Sequence, residues 1–136
     1  MTKLPTIDIK GKEYVMVKDR IIRFNELYLE GSITTEILKN DENSVVVKAQ
    51  VFTDKDSKRI FTGHSEAYRG DGMMGDVPVE VAETSAVGRA LAMMGIGIIE
   101  SVASAEEMLK PKRNNKVKNN YESESDIQSL EELANQ

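Results

Sequence analysis

Apolar and polar positions alternate in three stretches near the middle of the chain: "SITTEILK", "SVVVKAQVFT" and "IFTGHSEAY". A period of two predicts strands with one buried face. The runs between them, "NDEN" and "DKDSKR", are short and polar, so the strands form an antiparallel meander. On the middle strand Val45, Val47, Ala49 and Val51 share one face, and Val46, Lys48, Gln50 and Phe52 share the other. On the last strand Phe61, Gly63, Ser65 and Ala67 oppose Thr62, His64, Glu66 and Tyr68. One sheet face is small and apolar and is expected to meet a helix. The other mixes polar, basic and aromatic groups, and is expected to be solvated or to bind something.

Helical spacing flanks the strands. Val17, Ile21, Phe24 and Leu27 recur at intervals of 4, 3 and 3, one face of a helix, with Gly31 as its expected C-terminal cap. Upstream, "IDIKGKEYVMV" alternates about a Lys-Gly turn and predicts a short hairpin or an edge strand. Downstream, a helix is expected from about Val79 to Met94. "SAEEML" then opens a short helix, with Ser104 and Glu107 spaced as a capping box. The expected class is α+β: a three-stranded antiparallel meander packed on a long helix (a β-β-β-α core), with an N-terminal helix and a short C-terminal helix.

Residues 1–110 read as one domain, and 111–136 as a disordered or loosely helical tail that is basic and then acidic. The net charge of −5 argues against a simple polyanion binder, because neutralising phosphates needs Lys and Arg. The average hides local fields, however: "KPKRNNKVK" at 110–118 is basic and "ESESDIQSLEE" at 122–132 is acidic. The chain has no cysteine and one histidine, His64, which excludes disulfides, thiolate metal sites and multi-histidine zinc sites. No segment reads as a signal peptide or a membrane span, and a soluble cytoplasmic protein is expected.

Three features suggest chemistry and carry little. Gly70, Gly72 and Gly75 match G-x-G-x-x-G between a strand and a helix. Yet Asp71 and Asp76 would repel a pyrophosphate, and antiparallel strands are not a βαβ unit. His64 has no nucleophile with a supporting acid, since alternation puts Ser65 on the opposite face. Glu80 and Glu83 share a helix face without histidines, and read as a solvated face near a helix N-terminus, where negative charge is favoured.

The long helix is more informative. Thr84, Ser85, Gly88, Ala92 and Gly95 cluster on one side when placed on a helix, a small-residue face expected to lie against Gly63, Ser65 and Ala67. Close packing would offset the roughly 1 kcal/mol that Gly88 costs in helix propensity. Arg89 is the only charge between Glu83 and Glu100. A guanidinium among apolar neighbours needs a carboxylate, a carbonyl or an anionic ligand. The residues leave two readings: a salt bridge, to Glu66 or a loop acid, or a phosphate contact.

The segment "VEVAETSAVGRALAMMGIG", with "TGHSEAY" before it and "SVASAEEM" after it, resembles phage single-strand annealing proteins of the Sak and Erf type, relatives of the Rad-fifty-two annealing family. "IKGKEYVMVKDRIIRFNELY" and "GSITTEI" resemble them too, so the likeness spans most of residues 7–108. It implies a homo-oligomeric ring or filament that holds single-stranded DNA by its backbone and pairs complementary strands for phage recombination in the bacterial cytoplasm. It implies no enzyme activity, cofactor, metal or membrane. By position, Arg89 matches the helix arginine of the family's DNA groove, with Lys48, Lys55, Lys58, Arg59 and Arg69 as further DNA-binding candidates and Phe52 and Tyr68 as base-stacking ones. The chain departs from the pattern in its acidic charge and in Gly88, where the family is often basic. The tail reads as solubilising or as a competitor for the groove, with recruitment of replication or recombination proteins as the alternative. The other functional readings are a single-strand binder without annealing activity and a nucleotide-binding enzyme using the Gly70–Gly75 loop.

Overall fold

A computed structural model describes residues 3–56, 58–70, 75–99 and 101–110. The element order is β1 (Ile7–Ile9), β2 (Lys12–Tyr14), α1 (Val17–Leu27), β3 (Ser32–Asn40), β4 (Ser44–Phe52), β5 (Ile60–Tyr68), α2 (Pro78–Met93) and α3 (Ala105–Leu109). β1 and β2 form a hairpin about Lys10 and Gly11, both at positive φ (54° and 85°). That pair of left-handed residues matches the twist of the strands, and the Asp8 side chain accepts the Gly11 N–H.

The second sheet has the order β3-β4-β5, antiparallel throughout. Its register aligns Thr35, Ala49 and Gly63 on one face and Glu36, Lys48 and His64 on the other. A bulge between Ile37 and Lys39 shifts the register of β3, which then pairs Lys39 with Val46 and Asn40 with Val45. Val45, Val47, Ala49 and Val51 of β4 are fully buried, and α2 lies across their face of the sheet, over β4 and β5. α2 meets β3 only marginally, so Ile37 on that face stays half exposed. The α+β architecture read from the alternation is the one observed.

The approach of α2 to the sheet is set by Gly63. A Cβ there would stand 2.3 Å from the Ala86 carbonyl oxygen and 2.4 Å from the Ala90 nitrogen. Ala86 and Ala90 therefore form the sheet-facing row. The expected face of Thr84, Ser85, Gly88, Ala92 and Gly95 is not that row: Gly88 looks away from the sheet, and a Cβ on it would lie 2.7 Å from Val17 Cγ2 of α1 and 3.6 Å from Ser104 Oγ. The reason is that α2 is buried on both sides. Small residues line each side, and spacing alone does not say which neighbour each row meets.

α2 ends in a Schellman motif. Gly95 takes φ +90°, its N–H reaches the Ala92 carbonyl, and the Ile96 N–H reaches that of Leu91. Gly31 does not act as the expected cap of α1. Its φ is not positive, and a side chain there would meet the Phe24 ring at 2.6 Å. It is small because the chain turns tightly under Phe24.

Candidate functional site

Arg89 projects from α2 on the side of β5, where its Cβ is a neighbour of Gly63. Its side chain is 37% exposed, and Nη1 donates to Glu107 Oε2 of α3 at 3.1 Å. The salt bridge read as one alternative exists, with a partner that is neither Glu66 nor an acid of the loop. Glu107 is the more buried member, at 10% exposure, and its Oε1 makes no hydrogen bond with any described residue. One residue beyond α3, Lys110 Nζ donates to Ser65 Oγ at 3.0 Å and to the Glu66 carbonyl at 3.1 Å, clipping the chain onto β5. Burial lowers the Lys110 pKa and Arg89 lowers it further, while Glu107 and Glu66 act the other way. Arg89, Glu107 and Lys110 thus form one cluster beside β5.

The buried arginine of the fold is a different one. Arg20 of α1 is fully buried. Its Nη1 donates to the Gly88 and Val102 carbonyls at 2.8 and 3.1 Å, and its Nη2 to those of Gly97 and Ala103 at 3.1 and 3.4 Å. Burial pushes its pKa down, and the nearby Glu107 and Glu106 carboxylates oppose that; arginine stays charged in proteins. Gly97, at φ +78°, is glycine because a side chain would collide with Arg20 Cγ and Nε at 2.7 Å. Sequence reasoning missed this residue. The signal was present: position 20 falls on the same helical stripe as Val17, Ile21 and Phe24.

α3 is held by its neighbours. Ser104 caps it by accepting the Glu107 N–H at 3.3 Å, as its spacing predicted. The Ala105 N–H reaches the Val15 carbonyl. Glu106 places both carboxylate oxygens within 3.1 Å of the Val17 N–H, so an acid from α3 caps the N-terminus of α1. α3, α1 and the end of α2 are thereby tied together.

The other candidates are scattered. Lys48 and Phe52 lie half-buried on the sheet face away from α2, with exposed His64 beside Lys48. Tyr68 shares that face but sits at its opposite end from Phe52, paired in register with Ser44, roughly 25 Å away at 3.3 Å per residue. Its hydroxyl donates to Glu66 Oε1. Lys55, Lys58 and Arg59 are exposed where β4 turns into β5. Arg59 lies over the Phe61 ring, 5.2 Å from its centroid, and so leans towards the α2 side. Arg69 is at the far end, bonded to the Asp41 carbonyl and the Asn40 side chain. The structure brings Lys48 and Phe52 together on one face, leaves Arg69 apart, and puts Arg89 behind the sheet.

The glycine loop follows a meander and not a βαβ unit. Its ends are pinched, with the Gly70 N–H donating to the Gly75 carbonyl; residues 71–74, with Asp71 and Gly72 among them, lie outside the described residues, as does the tail. Glu83 accepts the Thr35 hydroxyl at 2.8 Å. Among the described residues no group of acids and histidines could hold a metal ion, and no helix is long and apolar enough to cross a membrane. A cavity of about 410 Å³ opens between α2 and α3, lined by Met16, Val77, Val81, Thr84 and Leu109 together with Glu80, Glu106 and Lys110. It is almost wholly apolar.

Residues 21–94, more than half of the chain, match the family described as Slr1353 N-terminal dsRNA-binding domain-like. The chain belongs to that family. The matched stretch of this Slr1353 N-terminal-like domain starts inside α1, takes in the whole meander, and ends on Met94, the residue that caps α2. It contains Arg89 and every other candidate residue named from the sequence. β1, β2 and α3 lie outside it, and so do Glu107 and Lys110. No curated protein and no solved structure matches the chain.

Proposed function

We propose that this protein binds nucleic acid through its sugar–phosphate backbone and, as a homo-oligomer, anneals complementary single strands of DNA in phage recombination, without a cofactor. Nucleic-acid binding rests on one observation, the membership of α1, β3–β5 and α2 in a dsRNA-binding domain-like family. The narrower reading rests on the resemblance of "ETSAVGRAL" and its flanks to annealing proteins. Two features of the fold suit it. Arg89 keeps part of its planar fork towards solvent, and a guanidinium is well matched to phosphate. The uncovered sheet face offers Lys48 for a phosphate and the Phe52 ring for a base. Phe52 and Tyr68 are too far apart to stack neighbouring bases, so they would mark the two ends of a path several nucleotides long.

A second reading has its own support. The family description points to duplex RNA, and duplex RNA is bound by shape and backbone across its grooves rather than by stacking. One experiment separates the two. Anisotropy of labelled single-stranded DNA, duplex DNA and duplex RNA is measured from low to moderate salt, beside the rate of pairing of complementary strands and particle size. The annealing reading expects preference for single strands, faster pairing and large particles. Preference for duplex RNA without faster pairing supports the second reading. Absence of binding to all three at low salt ends both.

A further inference from the structure

We propose that Arg89 and Lys110 form a phosphate subsite, and that the Glu107 carboxylate fills it in the free protein as an internal competitor that nucleic acid displaces. The inference rests on the nucleic-acid reading above and concerns how that site is regulated.

Glu107 is placed as a bound anion would be. A carboxylate presents two oxygens to a guanidinium much as a phosphate does. Here a single oxygen is engaged, by Arg89 Nη1, while the other is shielded from solvent and bonded to no described residue. A buried carboxylate oxygen without a donor is unfavourable, so this occupant is held loosely. Arg89 is the better exposed partner, which leaves the incoming anion an approach from solvent.

Lys110 supplies the second charge. Its contacts are the neutral Ser65 hydroxyl and the Glu66 main-chain carbonyl, which leave an ammonium proton for another acceptor. It is close enough to Arg89 for that guanidinium to disfavour its charge. Arg89 over Gly63 and Lys110 on Ser65 lie two residues apart along β5, and among the described residues only Arg89 is paired with a carboxylate, so the two cations together attract a further anion. In sequence the basic run continues with Lys112, Arg113, Lys116 and Lys118.

Glu107 can leave without dismantling its helix. α3 is fixed by Ser104, by the Ala105 N–H on Val15 and by Glu106 on the Val17 N–H. None of these uses the Glu107 side chain, so a rotamer change opens the subsite while α3 stays docked.

The test is a double-mutant cycle on the full chain, with anisotropy of a labelled oligothymidylate and of an RNA duplex as readouts. Glu107→Gln keeps the shape and removes the competing charge. It is expected to tighten binding about fivefold, the typical strength of a partly exposed ion pair expressed as an equilibrium. Glu107→Ala, read together with its thermal midpoint, replaces it if the amide variant does not fold. Arg89→Ala is expected to weaken binding, and Glu107→Gln added to it is expected to bring no gain. Glu30→Gln, which removes an exposed acid between α1 and β3, controls for net charge and is expected to change affinity by less than twofold. The proposal is overturned if Glu107→Gln binds as the wild type does, if its gain persists with Arg89→Ala, or if Glu30→Gln gains as much. A wild type that binds with an indifferent Glu107→Gln removes the competitor alone. Failure of both proteins to bind either probe at low salt removes the nucleic-acid reading and the competitor with it.

Discussion

Two arginines flank α2, and their surroundings could hardly differ more. Arg20 comes from α1, is sealed from solvent, and spends both terminal nitrogens on four main-chain carbonyls. Arg89 belongs to α2, is partly open to solvent, and shares one contact with one carboxylate. The Gly88 carbonyl belongs to α2 itself, and those of Gly97, Val102 and Ala103 to the stretch that runs from it to α3. Arg20 therefore holds segments together, and no external anion can reach it. The Arg89 contact can be exchanged for another. The comparison teaches that an arginine's role is set by what is left over after the fold has used it, and Arg89 alone has something left.

The comparison can be broken most severely at Arg20. Arg20→Met keeps the bulk but strips four main-chain carbonyls, one of them buried and three part-buried, of a charged donor, and about 4 kcal/mol of stability is expected to be lost, read from urea unfolding midpoints. A stable Arg20→Met protein would reduce Arg20 to packing. Next comes the sheet side of α2. Gly63→Ala drives a methyl into the backbone of Ala86 and Ala90 and is expected to cost about 2–3 kcal/mol. Gly88→Ala meets only the side chains of Val17 and Ser104 and recovers about 1 kcal/mol of helix propensity. Its net cost in the same assay should stay under about 1 kcal/mol.

Arg89→Ala sharpens the contrast from the other end. Removing a partly exposed ion pair is expected to cost about 1 kcal/mol or less. Binding to nucleic acid is expected to fall roughly tenfold, with the slope against log salt reduced by about one. A large stability loss with unchanged binding would make Arg89 a second Arg20. The smallest effect is expected at Asp41, whose exposed carboxylate serves its own turn and pairs with Lys39 at the end of β3. The Ser44 and Asn43 N–H groups bond it and hold its pKa below the ordinary carboxylate value. A lowered folded pKa means that its stabilisation is present above the unfolded value, near pH 4, and is lost as pH falls through the folded one. The slight destabilisation of Asp41→Asn should therefore be visible at neutral pH and vanish in acid, in thermal scans at both.

The legibility of the chain follows the range of the interactions involved. The three strands, the α+β class and the Ser104 cap were readable because alternation and capping are local. Val45, Val47, Ala49 and Val51 are buried where the alternation put them. Gly31 was misread because a glycine after a helix usually caps it, whereas here the demand comes from Phe24. Of the candidate site, position 89 was legible as a charge in an apolar helix, but its partner was not. The capping box assigned the Glu107 side chain to the Ser104 N–H. Only the other half formed, with the Glu107 N–H on Ser104 Oγ, and the side chain pairs with Arg89 instead.

By itself the sequence determined which residues face which side of each element, since side-chain direction follows from backbone period. It also determined that the one cation of α2 would need a carboxylate, a carbonyl or an anionic ligand. Only the tertiary structure decided which elements those faces meet: Gly88 with α1 and not the sheet, Arg20 with the carbonyls around the end of α2, Arg89 with a carboxylate of α3. The physical reason is that packing partners are chosen by volume and by unsatisfied polar groups brought together from distant parts of the chain, and no local pattern encodes that meeting.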